Sequence, residues 1–75
     1  MTTDDKILYI QSFMRLVSRA ETYRDAAAHS NFTRGIISAW HADLTLPSTM
    51  YKQLLDDLEI IMAVKRNLPM QGDVV

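Results

Sequence analysis

Few side chains in this sequence have the types and spacing that chemistry requires. The two histidines, His29 and His41, are twelve positions apart, and there is no cysteine. Helical metal ligands sit three or four positions apart and work in sets of three or four, so no metal site is expected. There is no thiol nucleophile, no glycine-rich phosphate loop, and no serine in a recognisable His and carboxylate setting. Neither catalysis, a cofactor nor a small-molecule substrate is expected. Asp56, Asp57 and Glu59 on an apolar-rich segment read as a solvated acidic face. That leaves the groups that bond without reacting: Arg34, whose guanidinium can grip two acceptors at once, and the scattered Arg19, Arg24 and Lys52.

Bulk properties bound what these groups can serve. Seventy-five residues make one domain, and a chain of this size buries only about 60% of the surface its unfolded form exposes. Without disulfides, stability must come from packing or oligomerisation. Apolar residues make up 48% of the chain, enough for a core. No apolar run approaches the roughly 18 residues of a membrane span, and Met1-Thr2-Thr3-Asp4-Asp5 lacks the basic start of a secretory signal. A cytoplasmic protein with no membrane partner is expected. Eight basic residues face nine acidic ones, for a net charge of −1. The basic residues are concentrated early, five against two acidic from Lys6 to Arg34, so the molecule is expected to be two-faced.

The elements that must position these residues are helices. Gly35, Gly72, Pro47 and Pro69 are the only strong breakers, and no strand-like alternation occurs. Asp4 or Asp5 can cap a first helix to about Arg19, with Ile7, Ile10, Phe13, Met14 and Val17 on one face. Thr22 can cap a second, with Asp25 three positions on, carrying Tyr23, Ala26 and Ala27 inward and stopping near Ser30-Asn31. Asn tolerates the left-handed conformation of a tight turn. Thr33 can cap a third helix to about Ala42. Pro47 marks a loop, and Ser48 caps a fourth and longest helix ending before Pro69. The expected fold is all-α, a four-helix domain over 1–68 with a flexible tail at 69–75.

Within this pattern Ala27, Asn31, Phe32, Ile37 and Trp40 stand at the spacings of a helix-turn-helix: a small residue at the crossing, a turn residue, and apolar residues beneath. The run Phe32-Thr33-Arg34-Gly35-Ile36-Ile37-Ser38-Ala39-Trp40, followed seven residues after the Trp by Pro47-Ser48 and an apolar helix with Leu54-Leu55-Asp56-Asp57-Leu58, resembles the lambda-repressor-like family of phage Cro, repressor and CII-type regulators. The resemblance covers about half the chain and places the helix-turn-helix at about 22–42. It departs from the family in holding Asn31 and Asp43 where glycine is common.

The resemblance implies a transcriptional regulator that binds double-stranded operator DNA. Thr33, Arg34, Gly35, Ser38 and His41 would then face base edges in the major groove, with Arg34 the one strong reader of guanine. Arg19, Thr22, Arg24 and Lys52 would hold phosphates, helped by free amides at the start of the second helix. A homodimer would suit a palindromic operator. The broad apolar face of the last helix offers Tyr51, Leu55 and Met62 for it, unless the first helix covers that face.

A different class of function fits the charge better. A net charge of −1, a reading helix with one strong basic group, and the Asp56-Asp57-Glu59 patch are what a protein-interaction module would show. An antirepressor that binds another regulatory protein is one such module. Binding of duplex at low salt separates the two.

Overall fold

Thr2, just ahead of the first helix, sets its start. Its side chain accepts from the Asp5 amide while Asp5 accepts from the Thr2 amide, a reciprocal capping box. Helix α1 runs Thr3–Arg19, so Asp4 and Asp5 lie inside the first turn, where their charge favours the positive end of the helix, and neither is the cap. Thr22 caps the next helix as expected, accepting from the Asp25 amide. The computed structural model describes residues 1–70; residues 71–75, which include most of the expected tail, lie outside the described residues.

Helix α2 is one unbroken rod, Tyr23–Ala42. The turn expected at Ser30-Asn31 is absent, and so are the separate helix after it and the crossing at Ala27. The described residues therefore form three helices, not four, with no strand. The physical reason lies in the spacing of inward residues. Tyr23, Ala26, Ser30, Thr33, Ile37 and Trp40 recur at alternating three- and four-residue steps straight through position 31. That register keeps one stripe against the neighbouring helices, as in a coiled coil. Breaking the rod would orphan up to four amides and four carbonyls, whereas keeping Asn31 helical costs only about 0.7 kcal/mol relative to Ala.

Asp43 closes α2 and Leu44 follows with φ 64°. The Leu44 amide donates to the His41 carbonyl and the Thr45 amide to the Trp40 carbonyl, a Schellman cap with leucine at the position usually held by glycine. Helix α3 runs Ser48–Lys65 with Pro47 at its cap position; Ser48 is its first residue and does not cap it. Pro47 fits there because its fixed φ needs no amide partner.

Side-chain contacts give the helix directions. Tyr9 meets Trp40 and Phe13 meets Phe32, so α1 and α2 are antiparallel. His41 meets Tyr51 and Arg34 meets Glu59, so α2 and α3 are antiparallel too. Lys65 reaches Ser18, which leaves α1 and α3 parallel. The core is Ile10, Met14 and Val17 of α1, Ala26 and Ile37 of α2, Leu46 of the loop, and Leu54, Leu58 and Met62 of α3. Helix α2 adds the small polar residues Ser30 and Thr33, both buried. Thr33 satisfies its hydroxyl by donating to the His29 carbonyl at 2.7 Å.

The three helix ends at the α1–α2 hinge are tied together by polar contacts. Lys65 donates to the Ser18 carbonyl at 2.5 Å and the Ala20 carbonyl at 3.1 Å, placing a cation at the negative end of α1. Past α3 the chain turns back, and the carbonyls of Pro69 and Met70 accept from the amides of Tyr23 and Arg24. These two residues, expected in the tail, thus satisfy the first two orphan amides of α2. None of the three helices is long and apolar enough to cross a membrane.

Candidate functional site

The expected base-reading residues do not share an outward face. Thr33 is fully buried in the core. Arg34 turns toward α3 and pairs with Glu59 at 2.7 Å. His41 stacks on Tyr51 at 3.9 Å between ring centroids, with Nε2 3.3 Å from the Ser48 hydroxyl. Only Gly35 and Ser38 face open solvent, and a Cβ added at Gly35 would meet nothing within 4 Å.

The expected phosphate-holding set is divided as well. Arg19 and Arg24 are exposed at the hinge, while Lys52, the fifth residue of α3, lies toward the other end of the bundle. Thr22 is buried as a helix cap, and the amides beside it are taken by Pro69, Met70 and its own hydroxyl. The anion cradle expected there is filled by the chain itself.

The residues expected on a dimer face also point inward. Met62 is core, Leu55 is half-buried against it, and Tyr51 is half-buried under His41. The outward apolar residues of α3 are instead Ile60 and Val64. They border a shallow groove of about 310 Å³ between α1 and α3 with Ser18, Ile61 and Lys65. The apolar face of α3 is thus divided: Leu54, Leu58 and Met62 are covered by the other two helices, and Ile60 and Val64 stay outside.

A different surface stands out on the α1–α2 seam. Four aromatic rings form a ladder along it. Trp40 lies 5.8 Å from Tyr9, Tyr9 is edge-on to Phe13 at 4.9 Å, and Phe13 meets Phe32 at 5.0 Å. Lys6 places its ammonium 5.3 Å from the Trp40 ring centroid. Helix α3 packs into the core that α1 and α2 share, and along the outer side of the seam Phe32 is 56% exposed, Tyr9 39% and Leu16 38%. Phe32, expected beneath the crossing, is therefore the most exposed aromatic residue of the described chain. The ring contacts fix the geometry of the patch by edge-to-face attraction before anything binds it.

This surface was legible in principle. On α1 the residues Asp5, Tyr9, Ser12, Leu16 and Arg19 repeat at steps of four and three beside the buried stripe, and all are exposed. On α2, Phe32 and Ile36 continue the seam. Both stripes emerge only when α2 is read as one helix.

Charge is divided along the bundle. The half toward the α1–α2 hinge carries Arg15, Arg19, Arg24, Lys65 and Arg66 against Glu21 and Asp25. The other half carries Asp4, Asp5, Asp43, Asp56 and Asp57 against Lys6 and Lys52. Between them Glu59 takes both Arg66, at 2.5 Å, and Arg34. Hydrogen bonds from Arg66 and then Arg34 hold the Glu59 carboxyl below the usual range, and the same pairing raises Arg66. Asp43 is lowered by the Thr45 hydroxyl, and Asp5 by the Thr2 amide and hydroxyl. These carboxylates serve caps and a surface bridge.

No protein-family model, no curated protein and no solved structure matches this chain.

Proposed function

We propose that this chain is a protein-interaction module whose docking face is the α1–α2 seam. The observation that carries the reading is the aromatic ladder of Tyr9, Phe13, Phe32 and Trp40, in which half-buried Phe13 and Trp40 support exposed Tyr9 and Phe32. A small protein that could hide a phenylalanine in its core instead holds Phe32 half in water, packed on rings that fix its position. Covering the exposed half of Phe32, on the order of 100 Å², gains about 2–3 kcal/mol, the size of an interface hot spot. A net charge of −1 agrees with a protein partner rather than a polyphosphate. Operator reading would need an outward Thr33 and an unengaged Arg34, and this fold supplies neither.

The test compares tag-free wild type with Phe32→Ser, an exposed site where the helix is expected to persist by circular dichroism. Expected is a protein retained at stoichiometric amount by the immobilised wild-type chain and lost on Phe32→Ser, with no salt-dependent shift of duplex DNA by either. Salt-dependent duplex binding that survives Phe32→Ser and is lost with Arg34→Ala would overturn the reading in favour of an operator binder.

A further inference from the structure

We infer that the α1–α2 seam is filled by a second copy of this chain, packed antiparallel about a twofold axis near Ser12. This rests on the reading of the seam as a docking face and names its partner.

The argument starts from the outward stripe of α1. Asp5, Tyr9, Ser12, Leu16 and Arg19 form one line along the helix, all exposed. The line is self-complementary when reversed. Asp5 and Arg19 stand seven positions either side of Ser12, one acidic and one basic, and Tyr9 and Leu16 lie between them and the centre. A second copy laid antiparallel places each Asp5 opposite the other copy's Arg19, sets Ser12 against Ser12, and buries Tyr9 and Leu16 together. A twofold axis makes every such contact twice, as an isologous interface requires. The parallel alternative aligns the like-charged halves of the two copies.

The rest of the molecule agrees. The halves of the bundle differ in sign, so an antiparallel pair sets each net-basic half over a net-acidic one. Phe32, the largest exposed group on the seam, is the tenth residue of the twenty in α2 and so lies near the same axis. Asp5 keeps this role open, because the Thr2 amide occupies only its Oδ2.

Area sets the strength. Tyr9, Leu16 and Phe32 leave on the order of 250 Å² of largely apolar surface uncovered on each copy, given 150–250 Å² for a whole aromatic side chain. With their rim this reaches the lower range of specific interfaces, below about 1,200 Å² in total. The dimer is therefore reversible and visible only in a concentration series.

Sedimentation equilibrium of the full, tag-free chain from about 5 to 500 µM covers that range. Expected is a monomer–dimer equilibrium that weakens several-fold as salt rises to about 0.5 M, because the flanking pairs are exposed. Phe32→Ser and Arg19→Glu should each weaken it about tenfold or more, with the helical signal unchanged. Ser12→Cys, in a chain with no other cysteine, should oxidise readily to a covalent dimer, and Lys52→Cys on α3 should not. A chain that stays monomeric throughout, or a dimer indifferent to both substitutions, overturns the inference. A monomer that still retains a different protein through Phe32 leaves the docking-face reading standing, which keeps the two failures apart.

Discussion

Asn31→Ala reports directly on whether α2 is continuous. Asn31 is exposed near the middle of that helix and makes no side-chain hydrogen bond among the described residues. In a continuous helix the substitution removes a residue that competes for backbone hydrogen bonds and installs the best helix former. It should stabilise by about 0.5–0.7 kcal/mol. Were Asn31 the left-handed residue of a turn, Ala there would cost about 1–2 kcal/mol. The sign of the change therefore separates the two architectures, and the gap between them is about 2 kcal/mol. For a domain of this size 1 kcal/mol moves Tm by about 4–8 °C, so the continuous helix predicts a rise of about 2–5 °C. Thermal unfolding followed by far-ultraviolet circular dichroism, at matched protein concentration, is the assay. Gly35→Ala calibrates it: the position is helical in either architecture and has open space around it, so a gain of about 1 kcal/mol is expected regardless. A lower Tm for Asn31→Ala beside a higher one for Gly35→Ala would refute the continuous rod and, with it, the seam as described.

Ile37→Ala removes the largest fully buried side chain of α2 and should cost about 2–5 kcal/mol, much of the stability of a chain this short; urea unfolding measures it. Leu44→Gly relieves a left-handed leucine that is 90% exposed and should stabilise by up to about 1 kcal/mol in the same assay; a loss would mean that the side chain has a contact the fold does not show. Asp5, Asp43 and Glu59 all have carboxyls held lower in the folded chain than in the unfolded one. Their contribution is complete above the ordinary carboxylate range and is lost as pH falls through the lowered folded values, so Tm should be flat above about pH 5 and fall below about pH 4. A Tm that rises on acidification would contradict these pairings.

The sequence by itself determined the helical class, the Thr22 cap and the ends of the chain's outer helices to within about three residues. Each of these rests on local physics: hydroxyl caps, proline's fixed φ and three-and-four spacing act over one or two turns. It also carried the apolar inventory of the core, since Ile10, Met14, Val17, Ile37, Leu54, Leu58 and Met62 are buried wherever such a stripe is packed.

Tertiary structure alone decided what the middle of the chain would be. A short motif from Ala27 to Trp40 matched a turn at Asn31, but Asn is only mildly averse to helix. Two neighbours that offer one continuous surface outweigh that aversion. Once α2 is a single rod, the inward positions shift to Ser30 and Thr33, and Phe32 rotates out to the seam. Which side of α3 is covered, and that Pro69 and Met70 cap a helix some forty-five residues earlier, depended equally on how the three rods lie together. Local preferences fix where helices begin and end; only the arrangement of whole faces in space fixes which of their residues meet water.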